Sequence, residues 1–96
     1  MNGLPARIEK TTARLLAVCE KRGMALTADD RVSESDAALL LGYTPGSFKN
    51  LRSTFGTGPA HYRRPAGAGG RVSYRVEDLA AWIERTREED PLQLSI

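Results

Sequence analysis

Prolines, glycines and capping residues divide this 96-residue chain into short segments, each ending where a helix cannot continue. The first segment is expected to be a helix over 5–22. Pro5 suits the first turn of a helix, and apolar residues follow it at helical spacing. Gly23 is typical of a position just past a helix end, because glycine readily adopts the left-handed conformation found there. A polar connector over 24–31 is expected to follow.

Two short helices are predicted next, joined by a tight turn. Ser33 can cap the second helix through its side-chain oxygen, and Gly42 ends it. Thr44 can cap a third helix over 45–54, with Pro45 in its first position. The pair indicates a helix-turn-helix arrangement, although helix pairs of this kind also occur in bundles. The third helix is expected to direct Phe48, Leu51 and Phe55 to the core.

A β-hairpin is predicted after the third helix. Residues 62–64 form one short strand and residues 71–75 a second, with a glycine-rich tip at 65–70 between them. Successive side chains of a strand point to opposite faces, so the second strand has an apolar face and a basic face. The apolar face carries Val72 and Tyr74, and the other carries Arg71, Ser73 and Arg75.

A last helix is predicted over 77–89, with carboxylates in its first turn, where they are favourable against the helix dipole. Pro91 blocks its continuation. The expected fold class is mostly α with a small β-hairpin, namely a winged helix-turn-helix with an additional N-terminal helix. The expected division is 1–31 for the N-terminal helix and connector, 32–89 for the winged helix-turn-helix domain and 90–96 for a flexible tail.

The composition argues against several classes of function. The single cysteine, Cys19, cannot form an internal disulfide, and with His61 as the one histidine the chain is poor in metal ligands. No apolar run approaches the roughly 18 residues that a membrane span requires. No acid–base or nucleophile constellation is present. We therefore expect a cytoplasmic protein that is not an enzyme and has no catalytic residue, metal or cofactor.

Charge is distributed unevenly along the chain. The forty residues from Ala37 to Val76, here called the acid-free window, contain no Asp or Glu and carry a charge of +6. The rest of the chain sums to −4, so the overall charge of +2 conceals a concentrated positive segment. Such a segment attracts a polyanion, and phosphate contacts dominate affinity for nucleic acids. The alternative is a solvated basic face that has no partner.

Two blocks of sequence carry a resemblance to a known family. The first runs from Val32 to Pro45 and reads VSESDAALLLGYTP. The second runs from Tyr74 to Ile83 and reads YRVEDLAAWI, with Gly58-Pro59 ahead of the hairpin. Together the blocks extend over about 32–87. The pattern resembles the MerR-type winged helix-turn-helix of phage and mobile-element excisionases and AlpA-like regulators.

The resemblance implies a partner and a mode of binding. In such proteins the helix after the Thr-Pro pair enters the major groove of double-stranded DNA, and the hairpin lies along the backbone or minor groove. It implies an excisionase or a small transcriptional regulator of a phage or mobile element. A homodimer, a tandem array on DNA or an integrase partner would fit either role. Carried over by position, the groove-facing residues are Gly46, Ser47, Lys49, Asn50 and Ser53.

Position and charge add further expected contacts with DNA. Asn50 can pair with an adenine edge, whereas Thr44 and Ser47 are better suited to capping and backbone positioning. Arg63 and Arg64 point to opposite faces of their strand, so only one of them is expected to reach phosphate directly. The expected DNA-binding residues outside the groove-facing set are Thr44, Arg52, Arg63, Arg64, Arg71 and Arg75.

Two features depart from the resemblance. Gly46 stands where relatives often carry a larger polar or basic residue, and it weakens the start of the third helix by about 1 kcal/mol relative to Ala. The helix over 5–22 is additional. Together with the acidic segment 84–90, these departures motivate an alternative, a winged-helix adaptor that binds another protein and does not bind DNA.

Overall fold

The computed structural model describes residues 3–64 and 71–87. The predicted class, mostly α with a small antiparallel β element, is confirmed over these ranges. None of the helices in them is both long and apolar enough to cross a membrane. The predicted tip at 65–70 and tail at 90–96 lie outside the described residues. The elements are α1 (Leu4–Arg22), β1 (Arg31–Ser33), α2 (Glu34–Leu41), α3 (Pro45–Ser53), β2 (Tyr62–Arg63), β3 (Val72–Arg75) and α4 (Val76–Arg85).

The predicted capping residues mark the helix ends. Ser33 Oγ accepts a hydrogen bond at 3.1 Å from the backbone N–H three residues on, and Thr44 Oγ1 accepts the equivalent bond at 3.2 Å. Gly23 and Gly42 follow α1 and α2 with left-handed φ angles of 67° and 82°. These boundaries were predictable because capping depends on chemistry within one turn of the chain.

Over residues 3–64 and 71–87 the sheet has three strands, whereas the sequence predicted a two-stranded hairpin. β3 lies in the centre, paired antiparallel with β2 on one side and β1 on the other. The register pairs Val32 with Tyr74 and Ser33 with Ser73. β1 is only three residues long and begins at the last residue of the predicted connector. A strand so short carries almost no periodic signal, and its partner lies far along the chain.

The core lies between one face of the sheet and the helices. Val32 and Tyr74 are each 1% exposed, and we call the face that carries them the inner face. The Phe48 ring of α3 packs on this face, with its centroid 5.0 Å from that of Tyr74. α1 packs against α4 and contributes the buried Leu15 and Cys19 to the same cluster. The additional N-terminal helix therefore completes the core that the other elements form.

One residue predicted for the core lies at the surface. Phe55 is 67% exposed, so its assignment to the core is wrong. α3 ends at Ser53, and the chain turns at Gly56 with a left-handed φ of 63°. Helical periodicity beyond Ser53 therefore no longer determines which way the side chain points. Phe48 is buried and Leu51 half-buried, as predicted for the helical part.

Two glycines should respond in opposite ways to the same substitution. A Cβ added at Gly42 or Gly46 would meet no atom within 4 Å, but Gly42 has a left-handed φ of 82°. We expect Gly42→Ala to lower the free energy of unfolding by about 1 kcal/mol through backbone strain. Gly46→Ala should raise it by about 0.5–1 kcal/mol, because alanine favours the helix. Urea denaturation followed by circular dichroism measures both changes. Changes of the same sign in the two variants would contradict the left-handed conformation of Gly42 or the helical one of Gly46.

Candidate nucleic-acid interface

α3 presents a polar face to solvent and buries the opposite side. Lys49 and Asn50 are exposed, next to the fully buried Phe48 that attaches the helix to the sheet. Ser53 is also exposed, but its hydroxyl donates to the carbonyl of Lys49 at 3.0 Å, within the same helix. Of the predicted groove-facing side chains, Lys49 and Asn50 are therefore the two with polar atoms directed outward and no side-chain bond among the described residues.

Thr44 and Ser47 form the N-terminal cap of α3. Thr44 Oγ1 accepts from the backbone N–H of Ser47 and donates to Ser47 Oγ at 2.9 Å. Both residues are exposed at the helix start. Their side chains are engaged with each other, which agrees with the predicted role in capping and positioning. The remaining N–H groups of the first turn favour an anion.

Arg52 was expected to contact DNA, but its guanidinium is held inside the molecule. Its Nε donates to Glu34 Oε2 at 2.8 Å and its Nη2 donates to Glu34 Oε1 at 3.0 Å. The two side chains are only 14% and 20% exposed. The hydrogen bonds from Arg52 hold the pKa of Glu34 below its usual range, and Glu34 raises the pKa of Arg52. Because the carboxylate neutralises this guanidinium and occupies two of its N–H donors, Arg52 is poorly suited to bind phosphate.

The same carboxylate binds the central strand. Tyr74 donates its hydroxyl hydrogen to Glu34 Oε2 at 2.8 Å, while the Tyr74 ring packs in the core. Burial, and then the Glu34 carboxylate, raise the pKa of Tyr74 to about 12, so the phenol stays protonated and can donate. The Glu34–Arg52–Tyr74 network therefore links α2, α3 and β3 through one side chain. It sets where the exposed face of α3 lies relative to the sheet.

Arg75 was also predicted to contact DNA, and it too is paired with carboxylates. It donates to Asp29 at 3.2 Å and to Glu77 at 3.2 Å. Asp29 in turn accepts from Arg31 Nε at 2.9 Å. The guanidinium carbons of Arg31 and Arg75 lie 4.9 Å and 5.3 Å from the ring centroid of Tyr62. We call this set the Asp29 cluster.

Arg31 was missed in the sequence because it fell in the predicted connector. The signal that could have found it is the alternation Arg31-Val32-Ser33, in which polar residues flank one buried apolar residue. Three residues are too few for this pattern to stand out. The pairing of Arg31 with Arg75 in the sheet brings the two guanidinium groups together on the face opposite the core.

Four cations of the acid-free window remain exposed. Within residues 3–64 and 71–87, none of them forms an ion pair with a carboxylate. The register places Arg63 opposite Val72, and therefore on the inner-face side where α3 packs. Arg64 donates its backbone N–H to the carbonyl of Arg71 at 3.0 Å, so these two side chains share the other face. The four exposed cations are Lys49, Arg63, Arg64 and Arg71.

Comparisons of the chain with protein-family models, curated proteins and solved structures found no match. The resemblance to the MerR-type winged helix-turn-helix therefore rests on the two sequence blocks. Within the described ranges, no group of three or more His, Cys, Asp or Glu residues is placed to hold a metal ion.

The hydroxyl of Tyr74 should contribute to stability through Glu34. Tyr74→Phe keeps the ring in the core and removes one hydrogen bond to a carboxylate, a bond type worth about 1.5–3 kcal/mol. We expect the free energy of unfolding to fall by about that amount in urea denaturation. Tyr43→Phe is the matched control, since that half-buried ring packs against Phe48 and its hydroxyl has no hydrogen bond to the described residues. Equal losses in the two variants would argue against the network.

Acid should weaken the protein through two carboxylates. Hydrogen bonds from Thr27 and then Arg31 hold the pKa of Asp29 well below its usual range, and Arg52 lowers that of Glu34. A depressed folded-state pKa gives stability that is complete above the unfolded-state value, near pH 4, and is lost as pH falls further.

We therefore expect the free energy of unfolding to fall between about pH 5 and pH 2. Glu34→Gln and Asp29→Asn should each flatten this dependence in urea titrations at several pH values. Glu20→Gln, which removes an exposed carboxylate of α1, is the matched control. An acid dependence in Glu34→Gln as steep as in the unmodified protein would show that the ion pair does not carry the effect.

Proposed function

We propose that this protein binds double-stranded DNA as a winged helix-turn-helix. In this proposal α2 and α3 form the helix-turn-helix, α3 enters the major groove, and the β2–β3 hairpin is the wing. The expected role is that of an excisionase or a small transcriptional regulator of a phage or mobile element, in the bacterial cytoplasm. The order of elements supports the proposal, because an antiparallel hairpin directly follows the helix pair.

The observation that carries the proposal is a set of exposed polar and basic side chains on α3 and on the same side of the sheet. Lys49 and Asn50 project from α3, and Arg63 lies on the side of the sheet against which α3 packs. Among the described residues neither cation has a carboxylate partner. An amide can pair with the N6 and N7 edge of adenine in the major groove, and Lys and Arg neutralise phosphate.

The amount of charge limits how strongly one copy can bind. Two of the six cations in the acid-free window, Arg52 and Arg75, are paired with carboxylates, which leaves four for phosphate. Four phosphate contacts give a slope of about −3.6 for log K against log salt, and this is the steepest slope expected, because Arg64 and Arg71 lie on the face of the sheet opposite α3. A single module of this size buries little surface on DNA, so a homodimer or a tandem array on adjacent sites is expected.

Replacing Lys49 tests the proposal directly. We expect Lys49→Ala to weaken binding to all duplexes and to reduce the salt slope by about one, because one phosphate contact is lost. Fluorescence anisotropy on a duplex library between about 50 and 200 mM salt measures both quantities. The matched control is Arg14→Ala, which removes one exposed positive charge from α1, outside the acid-free window. The proposal fails if no duplex binds, or if Arg14→Ala weakens binding as much as Lys49→Ala.

A groove beside α1 supports the second candidate, a protein–protein adaptor. The groove has a volume of about 560 Å³ and lies along the surface of α1, with residues of α4 at its edge. Its apolar lining consists of Leu4, Pro5, Ile8, Ala13 and Leu16. A partner helix or strand could cover these side chains without touching α3. Under this candidate no salt-dependent complex with DNA forms, so the anisotropy measurement separates the two functions.

A further inference from the structure

The outer face of the sheet, opposite the core, borders a groove that DNA binding by α3 does not use. Its volume is about 610 Å³. One wall is the connector segment 25–27, and the floor is formed by all three strands. Arginines predominate among its charged residues, and Asp36 is the one carboxylate in the described lining. The lining arginines are Arg31, Arg63, Arg64 and Arg71, and the other side chains include Leu26, Tyr62 and Ser73.

Two hydrogen-bond donors in the groove are held in place by the rest of the sheet. Arg31 is oriented by its Nε bond to Asp29 and by stacking on the Tyr62 ring. Its Nη1 donates to Ser73 Oγ at 3.3 Å, so the Ser73 hydroxyl accepts one bond and keeps its own hydrogen for another acceptor. Within the described ranges, neither the Ser73 hydroxyl hydrogen nor Arg31 Nη2 is donated to a partner.

Unneutralised charge comes from the two arginines next to the paired ends of β2 and β3. Arg64 and Arg71 are exposed, face the same side of the sheet and have no carboxylate partner among the described residues. The six residues between them in the sequence carry no charge. The charge of Arg31 is neutralised by Asp29, so Arg31 contributes oriented hydrogen-bond donors to the groove and little net charge. The groove therefore combines fixed donors on its floor with two free cations at one end.

We propose that this outer-face groove binds a phosphate group. Guanidinium forks and a hydroxyl suit an anion with several acceptor oxygens in different directions, and arginine in particular recognises phosphate. The groove is larger than a bare phosphate ion, and Leu26 and Tyr62 give it apolar and aromatic walls. The ligand class is therefore a phosphate ester with an organic part attached. Its source is either the backbone of DNA that continues past the hairpin or a free organic phosphate such as a mononucleotide.

The site is structurally separate from the surface proposed for DNA reading. Phe48 fixes α3 to the inner face, whereas Ser73 and Tyr62, which pair in the sheet, lie on the outer face. A free phosphate ester could therefore bind whether or not α3 contacts DNA. A DNA phosphate in the groove would instead require the duplex to extend around the hairpin. Of the two sources of phosphate, only the DNA backbone rests on the proposed function.

Substitution of the two exposed arginines at one end of the groove provides the test. We would record ¹⁵N–¹H NMR spectra while adding inorganic phosphate, adenosine monophosphate or a short duplex, each against sodium chloride at equal ionic strength. The expected result is a set of shifts at the amides of Ser33, Tyr62 and Ser73. An Arg64→Ala/Arg71→Ala double variant should weaken the affinity about tenfold or more, because charge-assisted hydrogen bonds are lost. The matched control is Lys10→Ala/Arg14→Ala, which removes two exposed positive charges from α1, outside the groove, and should change the affinity by less than about twofold.

The outcomes separate the two sources of phosphate. Saturable shifts with the mononucleotide assign the groove to a free phosphate ester, and shifts with the duplex alone assign it to the DNA backbone. The proposal is overturned if no phosphate probe shifts these amides more than sodium chloride does, or if Lys10→Ala/Arg14→Ala weakens binding as much as Arg64→Ala/Arg71→Ala. If the groove binds no phosphate while Lys49→Ala still weakens DNA binding, the proposed function stands without it.

Discussion

The carboxylate of Glu34 is the interaction on which the arrangement of this protein depends. Glu34 is the first residue of α2. Its carboxylate accepts two hydrogen bonds from Arg52 of α3 and a third from the hydroxyl of Tyr74 in the central strand. Phe48 supplies the apolar contact between the same elements. Hydrophobic packing alone is not directional, whereas a bidentate ion pair fixes an orientation. The direction in which α3 presents Lys49 and Asn50 therefore follows from Glu34.

The fold determines which of the basic side chains are neutralised by carboxylates and on which face of the sheet the others lie. The acid-free window suggested a continuous basic segment, yet the acids that flank it in sequence return to it in space. Glu34 neutralises Arg52, while Asp29 and Glu77 neutralise Arg75. The remaining cations divide between two sides of the sheet, with Arg63 on the side of α3 and Arg64 and Arg71 on the other. A count of charges in a sequence window thus overstates what one surface can offer to a polyanion.

Local features of the fold could be predicted, and non-local ones could not. Ser33, Thr44, Gly23 and Gly42 act within a single turn of chain, and each was placed correctly as a cap or stop. β1 was missed because its existence depends on pairing with β3, far along the sequence. Phe55 was misplaced because the helix ended before it. In the candidate site, the exposure of Lys49 and Asn50 agrees with prediction, while Arg31, Arg52 and Arg75 required the tertiary contacts.

The sequence by itself determined the helix starts, the glycine stops of α1 and α2, the mostly helical class and the presence of concentrated positive charge, because these depend on neighbouring residues and on composition. The end of the last helix was wrong, since α4 ends at Arg85 and the prediction extended it to 89. Only the tertiary structure decided which cations are free, since an ion pair such as Glu34–Arg52 joins residues 18 positions apart whose distance depends on how α2 packs against α3. It also decided the faces of the sheet. The alternation of a strand separates Arg63 from Arg64, but the register with β3 determines which of them lies beside α3.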